Sequence, residues 1–174
     1  MITVRQAKMA DYDDIERFYR ELIESMRSSE FKPKWKMGIY PTEQLLKDAI
    51  KGQTLFLSFL ENDLVGAMIL NHDSEPEYEN AKWLADAEKN EVMVIHLLGV
   101  APAYHGKGIA RQMVSKAIEI GKNNSIIAIR LDVLTQNTPA AKLYISMGFK
   151  YIDSVKIFYE DTGLADFQLY ELIL

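Results

Sequence analysis

The chain of 174 residues contains no cysteine. This absence excludes disulfide bonds, metal sites built on thiolates and an acyl-cysteine intermediate. No apolar run approaches the roughly 20 residues of a membrane-spanning helix, and the first residues lack the apolar core of a signal peptide. We therefore expect a cytoplasmic protein with no membrane partner.

Positive charge is also scarce, since 20 Lys and Arg residues face 25 Asp and Glu residues. That balance argues against a nucleic-acid partner. The stretch Asn71–Glu91 holds seven acidic residues and two lysines, and so accounts for the whole excess. We interpret it either as a solvated loop or as an acidic rim that attracts a cationic amine. The three histidines lack metal-ligand spacing, so no metal is expected.

The length of 174 residues predicts one domain, residues 1–174, with a sizeable core, and the apolar fraction of 48% predicts that the chain folds. Apolar patterning predicts strands at Ile2–Gln6, Thr54–Leu60, Leu64–Leu70, Val92–Val100, Ile126–Leu134, Phe149–Tyr159 and Ala165–Ile173. Helical spacing and capping signals predict a helix that begins at Asp11, a second that opens at Thr42 and Glu43, and a third after Gly108. They also predict a fourth helix, which Thr138 caps and whose first residue is Pro139. We expect Gly121 to end the third helix. This order predicts an α/β (α+β) fold, a mixed sheet of about seven strands with four helices on both faces.

Two glycines, Gly106 and Gly108, lie between the apolar strand Val92–Val100 and an amphipathic helix. Glycine lets a backbone approach a ligand closely, and a helix N-terminus presents unpaired N–H groups and positive dipole. The segment is therefore a candidate cradle for phosphate or pyrophosphate, or else a plain turn that caps a core helix. A P-loop is excluded because Ala101 stands where its first glycine is required, and a dinucleotide fingerprint is excluded by Arg111.

The same segment resembles the acyl-CoA-binding loop of the GNAT acetyltransferase superfamily, whose pattern is Arg/Gln-x-x-Gly-x-Gly/Ala. His105, Gly108 and Ala110 stand at the three fixed positions, with histidine in place of Arg or Gln. The order of elements also resembles the GNAT fold over nearly the full length. The resemblance implies an N-acetyltransferase that uses acetyl-CoA as co-substrate and transfers the acetyl group directly to a primary amine.

A second segment, NTPAAKLYISMGF, is similar to the matching GNAT segment. Asn137 and Tyr144 lie on nearly one face of the predicted helix, and Ala140 leaves room beside it. The resemblance implies that Asn137 bonds the amides of the cofactor and that Tyr144 assists the departing CoA thiolate. Without it, Tyr144 is interpreted as a packing aromatic. The complete set of expected cofactor contacts is Leu98, Gly99, Val100, His105, Gly106, Lys107, Gly108, Ile109, Ala110, Arg111, Asn137, Ala140 and Tyr144.

The strand before the loop carries the candidates for the acyl-transfer chemistry. Gly99 predicts a bulge that frees backbone N–H groups near Leu98 and Val100 for the thioester oxygen, the alternative being a twisted buried strand. The resemblance implies the same backbone contacts. His96 shares a face with Leu98 and Val100 by alternation, and an imidazole accepts protons near neutral pH, so His96 is the candidate base. The alternative is a hydrogen-bonded core histidine.

Other carboxylates leave alternatives open. Glu91 is a weaker base candidate that acts through water, and Asp132 either orients His96, holds the amine or pairs with Arg130. Candidate walls of the acceptor pocket, or ordinary packing residues, are Trp35, Tyr40, Tyr78 and Trp83. We expect a small-molecule amine as acceptor. The rivals are a peptide N-terminus as acceptor and a non-catalytic CoA-binding sensor, and a homodimer is left open.

Overall fold

The computed structural model describes residues 1–29 and 34–174. Its seven strands are β1 (Ile2–Gln6), β2 (Leu55–Leu60), β3 (Asp63–Asn71), β4 (Val92–Val100), β5 (Ala128–Leu134), β6 (Lys150–Tyr159) and β7 (Gly163–Ile173). Its four α-helices are α1 (Tyr12–Met26), α2 (Glu43–Lys51), α3 (Ile109–Asn123) and α4 (Thr138–Ser146). The strands form one mixed sheet in the order β1-β2-β3-β4-β5-β7-β6. The predicted fold class is therefore confirmed.

Two compact units divide the chain. The first contains Met1–Ser29, Trp35–Leu70 and His96–Lys116, and the second contains Asn71–Ile95 and Ala117–Leu174. Strand β4 contributes to both, because the division falls within it. In the second unit, β4 runs parallel to β5, with Val92–Val94 opposite Ala128–Arg130. The remaining strands of that unit, β6 and β7, extend the sheet by antiparallel pairing.

Helices cover both faces of β3 in the first unit. On one face Ala67 packs into a core cluster with Ile15 and Leu22 of α1 and with buried residues of α2. On the other face, a Cβ built on Gly66 would lie 2.7 Å from the Sδ of Met113 in α3. The apolar spacing of α1 produces its buried face, as predicted. The missing side chain at Gly66 is what allows α3 to pack closely on the strand.

A buried ion pair organises the second unit. Glu171 is 1% exposed, and its carboxylate accepts from Arg130 Nε at 2.9 Å and from the backbone N–H groups of Leu84 and Ala85. The guanidinium of Arg130 also lies 4.3 Å from the ring centroid of Trp83. The acidic stretch between β3 and β4 is thereby attached to β5 and β7. The partner of Arg130 is thus a residue that the sequence had not singled out.

Two predicted helix boundaries are wrong. Helix α3 passes through Gly121 and ends at Asn123. A Cβ at Gly121 would lie 2.4 Å from Leu174 Cδ1, so this glycine makes room for packing within the second unit. Helix α4 is capped by Asn137, whose side chain accepts from the Ala140 N–H at 3.4 Å, and Thr138 is its first residue. Within the described ranges, no helix has the length and apolar character needed to cross a membrane.

The buried ion pair makes a stability prediction. Glu171→Gln removes the negative charge beside Arg130, which is only 12% exposed, and we expect the free energy of unfolding to fall by about 3 kcal/mol. The control is Asp166→Asn, because Asp166 pairs with Lys156 at 2.8 Å on the surface and such a pair contributes less than about 1 kcal/mol. Urea denaturation measures both losses. Equal losses would show that burial does not determine the strength of these pairs.

Candidate active site

The backbone of β4 departs from strand geometry at Leu97, whose φ is +50°. Gly99, where a bulge is predicted, lies two residues further along and is not among the residues with positive φ. A Cβ on Gly99 would lie 2.4 Å from Leu22 Cδ2 and 3.6 Å from Trp35 Cζ3. Gly99 therefore serves the close approach of α1, while the backbone changes direction at a leucine.

A tyrosine of α1 contacts this irregularity directly. The hydroxyl of Tyr19 donates to the carbonyl oxygen of Leu97 at 2.8 Å. Tyr19 is fully buried, and its burial raises the pKa of the phenol, so the hydroxyl keeps its proton. The left-handed conformation is therefore held at its carbonyl by a permanent donor.

The residues on either side of Leu97 and Gly99 are partly exposed. They are His96, Leu98 and Val100, which alternate along β4 with buried Leu97 and Gly99. The carbonyl of Val100 is already used, since it lies 2.9 Å from Nε2 of His105. A carbonyl can only accept, so that ring nitrogen donates.

The hydrogen bond of His105 determines what its ring can offer a ligand. With Nε2–H directed at Val100, a neutral ring presents only the acceptor Nδ1 elsewhere. Donation to a phosphate from Nδ1 therefore requires the protonated ring. The bond also fastens the loop to the end of β4, which is a structural role that the sequence did not predict for His105.

The glycine loop, residues 101–108, opens directly into α3. Gly106 and Gly108 have φ of +76° and +80°, and no described atom lies within 4 Å of a Cβ built on either. The first hydrogen bond of α3 runs from the Gln112 N–H to the Gly108 carbonyl. The amides before Gln112 in the first turn therefore have no acceptor within the helix. Open space over two left-handed glycines, beside amides that have no acceptor within the helix, fits the diphosphate of a nucleotide cofactor.

Positive charge lies in the same segment. The ammonium of Lys107 stacks 4.7 Å from the ring centroid of Tyr104, whose hydroxyl donates to Asp63 at 2.8 Å. Arg111 is exposed in the first turn of α3, whereas the side chain of Ile109 is buried in the core. Ile109 can therefore contribute only its backbone to a ligand, while Lys107 and Arg111 can contribute charge.

In the second unit, α4 carries the remaining predicted residues. Asn137 and Ala140 are partly exposed, and the cap bond between them occupies the Oδ1 atom of Asn137. Tyr144 is buried, and its ring makes an edge contact with Phe149 at 5.4 Å between centroids. Burial and the nearby charge of Asp132 raise the pKa of Tyr144. The phenol is therefore a neutral hydrogen-bond donor across the physiological pH range.

Two tyrosine hydroxyls donate hydrogen bonds to Asp132. Its Oδ2 accepts from the hydroxyl of Tyr78 at 2.7 Å and from that of Tyr159 at 3.3 Å. Burial raises the pKa of nearby Glu75, as does repulsion from Asp132, while a hydrogen bond from Tyr159 opposes the rise. We call these four residues the acidic–phenol cluster. Of its members, the sequence had indicated Asp132 and Tyr78, whereas Glu75 and Tyr159 carry no local signal.

The other candidates are distributed over both units. Glu91 ends a short 3-10 turn, and its side chain accepts from the Glu88 N–H at 2.9 Å, so it acts as a local cap. Trp35 packs near Tyr19, and Trp83 donates to the carbonyl of Tyr78 at 2.8 Å. Among residues 1–29 and 34–174, no group of three His, Cys, Asp or Glu residues could hold a metal.

Comparison with known proteins connects this geometry to a family. A family model described as Acetyltransferase (GNAT) family matches residues 15–149. A spermidine N(1)-acetyltransferase from Thermoplasma acidophilum is 26% identical over 175 residues, which cover 95% of this chain and 94% of that protein. In three other curated relatives, the region that matches this chain covers only 34–50% of the relative's length.

Solved structures share the fold across the whole chain. An acetyltransferase of the GNAT family from Streptococcus agalactiae has a TM-score of 0.81 at 19% identity, covering 99% of this chain and 95% of that one. An acetyltransferase from Salmonella typhimurium, solved with its cofactor acetyl-CoA, has a TM-score of 0.71 at 16% identity and covers 100% and 94%. Because the sequence identities are below 25%, the structural similarity shows a shared fold and no more.

The raised pKa of Tyr144 makes a prediction for alkaline pH. The folded protein keeps this proton where the unfolded chain releases it, so the resulting stabilisation is complete below about pH 10 and is lost as pH rises further. We expect Tyr144→Phe to leave the phenolate absorbance change between about pH 9 and 11 unchanged while the protein stays folded. Circular dichroism confirms folding at each pH. Loss of one phenol's share of the signal would contradict the protonation state assigned here.

Proposed function

Because the chain belongs to the Acetyltransferase (GNAT) family, we propose that it transfers the acetyl group of acetyl-CoA directly to a primary amine of a small molecule. The observation that carries the proposal is the glycine loop, with two left-handed glycines, open space above them and the N-terminal amides of α3, which have no acceptor within the helix. These features stand in the segment that carries the acyl-CoA pattern. When bound, acetyl-CoA supplies the thioester that an amine attacks.

The first unit holds the cofactor mainly through its backbone. The amides at Gly106, at Gly108 and in the first turn of α3 receive the diphosphate, and Lys107 and Arg111 add positive charge. Leu98 and Val100 contribute backbone N–H groups. We assign this contact to N–H groups because the thioester oxygen can only accept a hydrogen bond. An N–H directed at the thioester oxygen stabilises the negative charge that develops there.

Tyr144 stabilises the leaving thiolate by donating a hydrogen bond. A free phenol has a pKa near 10 and a thiol one of about 8.5, so complete proton transfer is already uphill by roughly 2 kcal/mol. Burial raises the pKa of Tyr144 and enlarges that gap. The role is therefore charge stabilisation by a neutral donor, with the proton retained on the phenol.

The amine is deprotonated and held by different residues in this proposal. His96 is partly exposed on β4 and accepts the proton of the attacking amine. The acidic–phenol cluster attracts the amine through its carboxylates, which belong to Asp132, the acceptor of hydrogen bonds from Tyr78 and Tyr159, and to Glu75. A cationic small amine fits this chemistry. The spermidine acetyltransferase among the relatives has a named substrate of the same class.

The transfer reaction is tested by incubating the protein with acetyl-CoA and a panel of amines and peptides, and by measuring free thiol. We expect amine-dependent thiol release that is fastest with small polycations. Tyr144→Phe should slow turnover by about ten- to a hundredfold while the Kd for CoA stays constant. The matched control is Tyr170→Phe, which removes another buried hydroxyl, bonded to Gln168.

Each rival predicts a different result in the same experiment. Binding of CoA with no thiol release from any acceptor would support a CoA-binding sensor. Release with peptides alone would support acetylation of protein N-termini. Unchanged turnover in Tyr144→Phe would remove Tyr144 from the mechanism.

The acidic–phenol cluster makes a separate prediction about the acceptor. Asp132→Asn keeps the size of the side chain and removes its charge, so we expect KM for a polycationic amine to rise about tenfold or more. KM for a monoamine should rise less, and KM for acetyl-CoA should stay constant. Asp166→Asn is the matched control, since that carboxylate pairs with Lys156 on the surface. An equal rise for every amine would show that Asp132 does not select by charge.

A further inference from the structure

Leu97 differs from the other non-glycine residues that the structure places at positive φ. The others are Gln53, Glu61 and Ser125, which are polar and lie in turns, whereas Leu97 is buried within a strand. A branched apolar side chain has no local polar contact that favours this conformation. The surrounding structure must therefore hold Leu97 in place.

Two residues of helix α1 contact β4 at Leu97 and Gly99. The hydroxyl of Tyr19 donates to the Leu97 carbonyl at 2.8 Å, across 78 residues of sequence. Leu22, three residues along the helix, occupies the space left by the missing Cβ of Gly99, since a Cβ there would lie 2.4 Å from its Cδ2. The bond holds the carbonyl of Leu97, and the glycine permits the approach that the bond requires.

The ring of Tyr19 has little freedom to move. It makes edge contacts with Phe18 at 5.3 Å and with Trp35 at 6.3 Å between ring centroids, and it is fully buried. The hydroxyl is therefore aimed by packing at a fixed point of β4. A donor fixed in this way can maintain a backbone conformation that the local sequence disfavours.

We propose that Tyr19 is a positioning residue, whose hydroxyl holds Leu97 in the left-handed conformation and thereby aims the following N–H groups at the acyl group. This inference rests on the proposed function, because it concerns the same backbone contact at Leu98 and Val100. Without the hydroxyl, Leu97 relaxes toward ordinary strand geometry and the next peptide rotates. The acyl contact then weakens, while the diphosphate contact at the glycine loop remains.

The test variant is Tyr19→Phe, which keeps the ring and removes only the oxygen. We expect kcat to fall about tenfold, KM for the amine to stay constant, and the Kd for CoA to change less than about twofold. We expect the native protein to bind acetyl-CoA more tightly than CoA in calorimetry, because the acyl contact adds to the affinity, and we expect Tyr19→Phe to lose this difference. Tyr170→Phe is the matched control, and we expect it to change none of these quantities.

A purely structural role would lower the thermal midpoint and leave kcat and the acetyl-CoA preference unchanged, and that result would overturn the proposal. A second variant tests the conformation itself. Glycine adopts positive φ freely, so the effect of Tyr19→Phe on kcat should be smaller in a Leu97→Gly background than in the native chain. An equal effect in both backgrounds would also overturn it.

The outcome for the proposed function is separate. If the native protein transfers acetyl groups and Tyr19→Phe equals it in kcat and acetyl-CoA preference, the positioning role is wrong and the function stands. If the native protein transfers nothing to any amine, the function is wrong. The positioning role is then judged by whether Tyr19→Phe moves the amide NMR signals of Leu98 and Gly99 more than Tyr170→Phe does.

Discussion

The left-handed backbone at Leu97 is the constraint on which the first unit's site depends. An L-residue with a Cβ in this conformation costs about 1–2 kcal/mol, and one hydrogen bond returns about 0.5–1.5 kcal/mol. The bond from Tyr19 therefore roughly balances the cost, and Leu97 is at the same time buried in the core cluster. The same approach of α1 requires glycine at position 99. The positive φ at Leu97, the packing of α1 on β4 and the glycine at position 99 therefore depend on one another.

In the second unit, two charged residues of β5 have different hydrogen-bond partners. Arg130 and Asp132 stand two residues apart on β5, where a mutual ion pair is the simplest expectation. Arg130 instead donates to Glu171 and to the Ala85 carbonyl. Phenols from Tyr78 and Tyr159 reach Asp132, and they bring no positive charge. The buried pair therefore fixes the acidic stretch, while the carboxylate of Asp132 accepts hydrogen bonds from two phenols.

Local patterns predicted most elements because their causes are local. Apolar spacing predicted α1, and glycines in sequence before an amphipathic helix predicted the loop. The end of α3 and the positive φ at Leu97 depend on residues far away in the sequence. Gly121 carries the signal of a helix end, but Leu174 packs where its side chain would be. No local signal places positive φ at Leu97, since its partner Tyr19 lies 78 residues away. Asn137 and Thr138 are both good caps, and only the observed bond separates them.

The histidine at the first position of the acyl-CoA pattern shows how the cradle tolerates substitution. The proposed cradle is made of backbone amides and depends on φ at Gly106 and Gly108 and on the start of α3. Under the proposed function, the cradle therefore needs no phosphate contact from His105. Its bond to the Val100 carbonyl joins the glycine loop to the end of β4 instead. The proposed diphosphate contact lies in the glycine loop, and the proposed acyl contact lies at the end of β4. The hydrogen bond of His105 would therefore fix the position of one contact relative to the other.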